Sequence, residues 1–381
     1  MKSHEIIRNI NTLFEPLGLK VDNVIDTAQS TKYILNLPLD YTIQGKIKRA
    51  ESNLKYSLST AIGSKEYTYG HDATSVYVEV KRDTLTIVDF NDIKDVTKSP
   101  NLNLVLGVDQ AGNKMYTNLS KAPHILVGGT TGSGKSELLH CFVASLIEGM
   151  PYTHAALYII DPKRAEYSPY KNCKSITLIT EMNEATEYLK RAVDLMETRY
   201  AELERNRAKD IYKYHGSMDM CPIVFIIDEL ADLMMTCPSV ETYIARIAQK
   251  ARACGIHLII GTQSPRVDII KGIIKANMPT RIALKTKSAI ESRVVLDRAG
   301  AEYLYGTGDM LFLPNGKFEP IRMQSAYVSE EYKVKLAESI RIRQEPSTVN
   351  VTNNVSAKEN FFSKTIYLDL LSILHKKKGD T

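Results

Sequence analysis

The chain has 381 residues, of which 44% are hydrophobic and 24% charged, and its formal net charge is +5. At about 100–200 residues per domain, this length predicts two or three domains that each bury a core. The charge is too small to establish an anionic partner, so its distribution matters more than its total. Five scattered cysteines without metal-ligand spacing favour reduced thiols. No signal peptide opens the chain and no apolar stretch reaches the ~18 residues of a membrane span. We therefore expect a cytoplasmic protein with no direct membrane span.

The first hundred residues predict a small domain behind a short lead-in. Residues 1–30 are polar and helical in pattern. Residues 31–100 contain short alternating runs, "YILNLPL", "SVYVEV" and "TLTIVDF", around one helix at 44–62, which indicates a small α+β domain. The turn-rich segment 97–123 then predicts a strand, a turn and a second strand that lead into the next domain.

Residues 101–328 follow a different pattern. Five short runs are almost wholly apolar: "HILVGG", "AALYIID", "IVFIID", "GIHLIIGTQ" and "TRIALKT". Helical segments separate them, which predicts an α/β domain with a mostly parallel sheet covered on both faces. The longest helix is expected at 184–207, and its apolar stripe indicates core packing: Leu189, Val193, Met196, Tyr200 and Leu203.

The chain becomes polar after residue 328. Residues 329–360 are rich in turn formers and predict a linker. Residues 361–381 contain a short apolar run and predict a C-terminal helix that ends in the solvated tail "HKKK".

A glycine-rich turn joins the first apolar run to a helix. It fits G-x-x-x-x-G-K-[ST] with these residues: Gly129, Thr130, Thr131, Gly132, Ser133, Gly134, Lys135 and Ser136. Glycines let backbone N–H groups converge on phosphates without Cβ clashes, and the helix that follows adds its positive end. We expect Lys135 to neutralise the β and γ phosphates and Ser136 to hold Mg²⁺. The loop therefore predicts a P-loop nucleotide site whose cofactors are ATP and Mg²⁺.

Two acids close the strand "IVFIID", which we expect to adjoin the loop strand. Asp228 suits the Mg²⁺ shell, and Glu229 suits a general base that activates water. A glutamate in that position favours hydrolysis over transfer to an acceptor. Gln263 closes a third apolar run, where it could sense the γ phosphate. The alternative for Gln263 is a plain strand cap.

Successive blocks over residues 100–328 resemble the motor of the FtsK/SpoIIIE family of double-stranded DNA translocases. The blocks are "HILVGGTTGSGKS", "YIIDPK", "FIIDELADLMM", "IARIAQKARACGIHLIIGTQSP", "IIKANMPTRIALKT" and "SRVVLDRAGAEYLYGTGDML". The resemblance implies a hexameric ring of RecA-like P-loop NTPase domains, with duplex DNA in the pore and ATP at subunit interfaces. Within "GTGDML", Asp309 could orient a neighbouring residue or the nucleotide, or be an ordinary turn aspartate.

The sequence departs from the family in two respects. Ser264 follows Gln263 where family members usually carry arginine, and Arg266 comes two residues later. A membrane segment and a C-terminal winged-helix domain, present in chromosomal members, are not evident. We therefore expect a reduced motor of the kind found on plasmids, integrative elements or phages.

Ring ATPases complete each site with an arginine from the neighbouring subunit. The predicted helix "YIARIAQKARAC" offers Arg246 and Arg252. At ~100° per residue, Arg252 borders the buried face and Arg246 points away from it. The family's arginine finger also maps to this "KAR". Arg252 is therefore the predicted trans arginine, and the alternative is a solvated or structural ion pair.

Basic residues are concentrated between positions 266 and 298. This segment carries Arg266, Lys271, Lys275, Arg281, Lys285, Lys287, Arg293 and Arg298 against Asp268, Glu291 and Asp297. Such a patch suits binding to the DNA backbone without base readout. We predict that Arg266, Lys275 and Arg293 contact DNA, and the alternative is a solvated basic face.

The leading hypothesis is an ATP-dependent translocase of double-stranded DNA in a homo-oligomeric, hexameric ring. A second hypothesis is a DNA-binding coupling factor that recruits a relaxosome or a secretion channel. A third is a single-strand helicase or packaging motor. Stimulation of ATP hydrolysis by duplex or by single-stranded DNA separates the first hypothesis from the third.

Overall fold

The structure is a computed structural model. It describes residues 3–37, 57–63, 66–71, 75–83, 86–97, 102–149, 156–173, 176–216, 218 and 220–342. Most of the helix predicted at 44–62 lies outside these residues, as do positions 84 and 85 of "TLTIVDF" and everything after 342, including the predicted C-terminal helix. The chain divides into two compact units, one of residues 1–87 with 110–113 and the other of residues 88–109 and 114 onward.

Among the described residues, the smaller unit is a four-stranded antiparallel sheet packed against the helix Ser3–Phe14 and a helical stretch at 57–61. The strands are β1 (Val21–Asp26), β2 (Ser30–Asn36), β3 (Tyr67–His71) and β4 (Ser75–Lys81), in the order β1-β2-β4-β3. The helix Ser3–Phe14 places apolar residues four positions apart on one face, and these are buried in the same core as β2 and β4: Ile6, Ile10 and Phe14. The predicted lead-in at 1–30 thus differs from the structure, because this buried face makes its helix and β1 parts of the small unit.

The larger unit is built on a ten-stranded sheet. Its strands are β5 (Asn103–Asp109), β6 (Lys114–Asn118), β7 (His124–Gly128), β8 (Ala156–Ile160), β9 (Ile176–Ile179), β10 (Ile223–Ile227), β11 (Ile256–Thr262), β12 (Thr280–Leu284), β13 (Asp309–Leu313) and β14 (Ile321–Ser325). Its α-helices are Phe90–Ile93, Lys135–Gly149, Met182–Arg205, Leu230–Thr236, Val240–Lys250, Gly272–Ala276, Ala289–Leu296 and Glu330–Ile342.

The strand order is β6-β5-β14-β13-β12-β7-β11-β10-β8-β9. Pairing is parallel from β12 to β9 and antiparallel from β12 to β6. The predicted mostly parallel α/β sheet is confirmed, and all five apolar runs are strands of its parallel half. The predicted strand–turn–strand is the β5–β6 hairpin, which extends the antiparallel half.

Alternate residues of the parallel strands enter two separate cores. In β10, Phe225 and Ile227 face one cluster, whereas Val224 and Ile226 face the other. This explains why every residue of β10 is buried and why the strand shows no polar alternation. The predicted long helix forms as Met182–Arg205, and its stripe packs in the first of these cores.

A helix stands where the linker was expected to begin. In Glu330–Ile342, Leu336, Ala337 and Ile340 are buried. Lys333 is also buried, with Nζ 3.1 Å from Oε2 of Glu137 and 2.7 Å from Oε1 of Glu330. Charged residues between these positions hid the helical period from the sequence. The described part of residues 329–360 is therefore a packed helix.

Two buried histidines lie side by side where β7 and β11 begin. Nδ1 of His124 accepts a hydrogen bond from the Leu258 N–H at 3.1 Å, and Nδ1 of His257 lies 3.0 Å from the Pro123 carbonyl. Burial, and secondarily the charge of the neighbouring His257, lower the pKa of His124 to about 3. Burial likewise lowers the pKa of His257 to about 4, against the opposing effect of its bond to Pro123. Both imidazoles are therefore neutral at pH 7.

These depressed pKa values predict acid sensitivity of the fold. The unfolded chain protonates each histidine near pH ~6.5, whereas the folded chain resists protonation until about pH 4 or 3. The stabilisation is complete above pH ~6.5 and decreases on acidification, by about 1.4 kcal/mol per histidine and pH unit. Urea unfolding at pH 7, 6 and 5 measures this slope. His257→Gln should reduce the slope, and His215→Gln, at an exposed position, should not; equal slopes in all three proteins would contradict the assignment.

Candidate functional site

The loop residues, Asp228, Glu229 and Gln263 follow the carboxyl ends of parallel strands, but the strand order differs from expectation. The strand β11 lies between β7, which leads into the glycine-rich loop, and β10, which ends before the acid pair. The acid-bearing strand is therefore one strand removed from the loop strand. The Lys135 side chain spans this gap and reaches Asp228.

The backbone of the glycine-rich loop is anchored on neighbouring strand ends. The Gly129 N–H donates to the Thr262 carbonyl at 3.2 Å, and the Thr130 N–H donates to the Lys285 carbonyl at 2.8 Å. Within the loop, the Ser133 N–H donates to the Thr130 carbonyl at 3.0 Å. These three bonds fix the loop and use three of its N–H groups.

Other loop N–H groups remain available to an anion. The Gly308 N–H donates to the Ser133 carbonyl at 2.8 Å. Because C=O and N–H point in opposite directions across a planar trans peptide, this bond turns the Gly134 N–H away from Gly308. In the described part of the chain, the N–H groups of Thr131, Gly132 and Gly134 have no acceptor. Such converging donors before a helix have the geometry of a phosphate-binding loop.

Lys135 and Asp228 form a buried ion pair beneath the loop. Nζ of Lys135 lies 2.7 Å from Oδ1 and 2.5 Å from the backbone carbonyl of Asp228. The two residues are 3% and 0% exposed. Each charge needs the other, since an isolated buried ion is strongly destabilising.

One oxygen of Asp228 and the Ser136 hydroxyl are suited to a hard cation. Oδ2 of Asp228 is buried and has no hydrogen-bond partner among the described residues. Ser136 is half-buried and directly follows Lys135 at the start of the helix. Carboxylate and hydroxyl oxygens are ligands of the kind that Mg²⁺ prefers. The residues present therefore fit the predicted ion.

Glu229 is fixed by the strand beside it. Its Oε1 accepts from the Thr262 hydroxyl at 2.7 Å and from the Ala231 N–H at 3.3 Å, and its Oε2 accepts from the Gln263 N–H at 2.8 Å. A carboxylate has about four acceptor positions, so one remains for a water molecule. Glu229 also caps the helix Leu230–Thr236. This arrangement can orient a general base.

Gln263 joins the end of β11 to the loop. Its Oε1 accepts a hydrogen bond from the Thr131 hydroxyl at 2.9 Å. The structure therefore brings Gln263 to the edge of the glycine-rich loop. Its role as a γ-phosphate sensor stays a prediction.

The turn in "GTGDML" also supports the loop. Asp309 is buried, and its Oδ2 accepts from the Tyr305 N–H and from Arg322, each at 2.8 Å. This holds the turn whose Gly308 N–H contacts Ser133. Sequence reasoning left Asp309 between two roles and missed Arg322, which lies thirteen residues later. In the sequence, the signal for this turn was the family block "GTGDML".

Arg252 lies outside the helix on which it was predicted. The helix ends at Lys250, and Arg252 stands exposed in the turn that follows. Its guanidinium has no hydrogen bond or ion pair within the described ranges. Arg246 is also exposed and pairs with Glu197 at 2.9 Å. The trans role of Arg252 stays a prediction.

The three predicted DNA contacts differ in how they are engaged. Lys275 is only 17% exposed, and its Nζ lies 2.6 Å from Asp297 and 2.7 Å from the Arg293 carbonyl. Arg266 is exposed and pairs with Asp268 at 3.0 Å. The Arg293 side chain is exposed and has no partner in the part of the chain that the structure describes. Arg293 is therefore the most available of the three.

The net positive charge around residues 266–298 is smaller in the folded chain than a count of charges along the segment suggests. Glu241 pairs with Lys271 at 2.6 Å, and Glu319 forms an ion pair with Arg298. Both acids lie outside the segment, so a count along the chain misses them.

In the part of the chain that the structure describes, neither a helix suited to crossing a membrane nor a metal-ligand cluster is present. Among the described residues, no helix combines the length and apolarity that crossing a bilayer requires. Nor do they contain a cluster of three or more His, Cys, Asp or Glu that could hold a metal ion. All five cysteines are free thiols.

Comparison with known proteins places the larger unit in a family. Residues 90–222 and 217–267 match the model of the FtsK/SpoIIIE family. The chain is 40% identical over 317 residues to DNA translocase SftA of Bacillus subtilis, which covers 79% of this chain and 33% of that protein. It is 42% identical over 287 residues to DNA translocase FtsK of Clostridium tetani, covering 71% of this chain and 38% of that protein. The chain therefore spans less than half the length of these relatives.

A solved structure has a similar fold. The pCW3 conjugation coupling protein TcpA, in a monomer form with ATPγS, superimposes with a TM-score of 0.63 at 23% identity. The match covers 89% of this chain and 99% of that one. The two chains therefore share a fold.

The loop glycines are predicted to differ in how they tolerate alanine. Gly134 has φ +100°, and a Cβ there would lie 2.6 Å from the Gly308 nitrogen. Gly132 has φ +77° and nothing within 4 Å. Gly134→Ala should lower the free energy of unfolding by about 1–3 kcal/mol more than Gly132→Ala, because it adds a backbone clash to similar strain. Urea unfolding of the nucleotide-free proteins measures the difference, and equal losses would contradict the contact with Gly308.

Proposed function

We propose that this chain, which belongs to the FtsK/SpoIIIE family, hydrolyses ATP to move double-stranded DNA through a ring of identical subunits. The observation that carries the proposal is the buried ion pair of Lys135 and Asp228. It lies next to a loop whose N–H groups at Thr131, Gly132 and Gly134 have no acceptor among the described residues. Asp228 directly precedes Glu229 in the sequence. Its similarity to DNA translocases supports DNA as the partner. The ring, a hexamer by family resemblance, acts in the cytoplasm.

ATP binding exchanges partners within the site. The free N–H groups of the loop receive the phosphates, and Lys135 leaves Asp228 to neutralise the β and γ phosphates. Asp228 would hold Mg²⁺ through Oδ2, which has no partner among the described residues, and Ser136 would hold it through its hydroxyl. When bound, Mg²⁺ neutralises charge on the phosphate oxygens.

Hydrolysis then uses residues at the ends of β10 and β11. Glu229 takes a proton from the attacking water, and its bonds to Thr262 and to the Gln263 N–H keep the carboxylate oriented. The Gln263 side chain lies at the loop, where it contacts the γ phosphate or the water. Arg252 of a neighbouring subunit supplies positive charge in the transition state.

The DNA contact is made by the basic segment. Arg266 and Arg293 are exposed and reach backbone phosphates, which requires no base readout. Lys275 contributes mainly by holding the Arg293 carbonyl and Asp297, so its own contact is the weakest of the three.

A second candidate is a coupling factor of a conjugation apparatus that binds DNA and recruits relaxosome or secretion-channel proteins. The similarity of this chain to TcpA, a conjugation coupling protein matched over nearly its whole length, favours it. In that case ATP turnover would serve assembly and not movement. A single-strand helicase or packaging motor is the remaining alternative.

Hydrolysis and movement of the purified full chain test the proposal. Linear duplex should stimulate ATP hydrolysis more than single-stranded DNA, and the protein should displace a triplex-forming strand. Lys135→Ala should abolish ATPγS binding, whereas Glu229→Gln should retain binding and lose at least ~100-fold in kcat, since it removes the base. Stimulation by single strands alone would favour the helicase, and hydrolysis without triplex displacement would favour the coupling factor. Full hydrolysis by Lys135→Ala would refute the site.

The exposed arginine predicts a change in salt dependence. Arg293→Ala should weaken duplex binding equally across sequences and reduce the slope of log K against log salt by about 1. Fluorescence anisotropy between about 50 and 200 mM salt measures this slope. Arg246→Ala, which removes an exposed arginine paired with Glu197, is the matched control and should leave the slope unchanged. Identical slopes in both variants would remove Arg293 from the DNA surface.

A further inference from the structure

Two buried polar atoms beside the phosphate loop lack hydrogen-bond partners. Tyr167 is 0% exposed, and its hydroxyl is unpartnered among the described residues. Oδ2 of Asp228 is in the same condition. Buried polar groups nearly always have partners, so each of these atoms requires an explanation. They are also complementary, because a phenol donates and a carboxylate accepts.

The backbone brings Tyr167 to the edge of the sheet that carries Asp228. The Tyr167 N–H points to Oδ2 of Asp161 at 3.5 Å, and Asp161 directly follows β8. The Asp228 N–H donates to the carbonyl of Ile160, the last residue of β8, at 3.1 Å. Tyr167 and Asp228 are therefore both tied to the carboxyl end of the same strand.

The Tyr167 ring also contacts the helix that begins with Lys135. The centroids of the Tyr167 and His140 rings are 4.9 Å apart, and His140 lies in Lys135–Gly149. Burial, and next the charge of Asp228, raise the pKa of Tyr167 well above 10. The hydroxyl therefore keeps its proton and can only be a neutral donor toward this carboxylate.

We propose that Tyr167 is a positioning residue for Asp228: its hydroxyl supplies the hydrogen bond that replaces Lys135 on this carboxylate when Lys135 moves to a bound phosphate. The inference rests on the proposed nucleotide site. Without nucleotide, Lys135 balances Asp228 and the hydroxyl is unused. With nucleotide, Lys135 would leave Oδ1 of Asp228, Oδ2 would remain for Mg²⁺, and the Tyr167 hydroxyl would donate to the oxygen that Lys135 leaves.

A neighbouring tyrosine provides a matched control. Tyr170 is also fully buried and lies in the same ring cluster, with its centroid 6.4 Å from that of Tyr167. Its hydroxyl, however, lies 3.4 Å from Nδ1 of His140. Tyr170→Phe thus removes a buried phenol from the same cluster without removing a donor from Asp228.

The experiment compares ATPγS binding with the stability of the nucleotide-free chain. In the full chain, Tyr167→Phe should raise the Kd for ATPγS about 10-fold, as expected for a hydrogen bond to a charged group. It should leave the Tm without nucleotide unchanged or raised, because the hydroxyl has no partner in that state. Tyr170→Phe should bind ATPγS as the wild type does. In an Asp228→Asn background, Tyr167→Phe should cost at most about 3-fold, since a neutral acceptor forms a weaker bond.

The outcomes separate this inference from the proposed function. A wild-type Kd in Tyr167→Phe, or an equal loss in both backgrounds, would overturn the positioning role. A lower Tm without nucleotide would overturn it in favour of a purely structural role. If Tyr167→Phe and Asp228→Asn show the expected coupling but duplex DNA does not stimulate hydrolysis, the inference stands and the proposed motor is refuted. Failure of the wild type to bind ATPγS would refute both.

Discussion

The buried pair of Lys135 and Asp228 is the constraint on which the rest of the site depends. The strands around it are apolar on both faces, so neither charge has water to solvate it. Removing one partner of such a pair typically costs about 3–5 kcal/mol. The pair therefore fixes the end of β10, the loop after β7 and the helix Lys135–Gly149 relative to one another. A phosphate that enters the loop can take Lys135 only by replacing the carboxylate. In the proposed function, nucleotide binding is thus an exchange of counter-ions that would leave Asp228 to a metal ion.

The loop itself is held by parts that are distant in sequence. Carbonyls of Thr262 and Lys285 and the Gly308 N–H hold its backbone, so three other strand connections determine its shape. The helix Glu330–Ile342 adds a fourth connection, because Lys333 pairs with Glu137, two residues beyond Lys135. Burial raises the pKa of Glu137, and the charge of Lys333 opposes that rise. The helix that carries Lys135 is therefore fixed at its first turn by a segment that follows the whole sheet.

Local patterns explain why much of this could be predicted. Apolar runs that end in glycine, acid or glutamine identify both the strands and the edge where a ligand binds, because residues adjacent in sequence carry the signal. The order of strands is long-range information, so the position of β11 between β7 and β10 was not accessible. The pairing of Arg322 with Asp309 and the donors around Glu229 depend on the same order. The helix at Glu330–Ile342 was missed because charged residues interrupt its apolar stripe.

The charge pattern of residues 266–298 shows how the fold shapes the proposed grip on DNA. Acids from the segment itself, and from Glu241 and Glu319 outside it, neutralise most of its cations. What remains exposed and unpaired within the described residues is sparse, with Arg293 as the clearest case. Few phosphate contacts give weak, sequence-independent binding with a shallow dependence on salt. A motor that must release the backbone at every step is better served by such contacts than by a dense basic surface, since tight binding would slow each release. In the proposed motor, the acids paired with the cations of residues 266–298 would thus favour movement along DNA over tight binding to it.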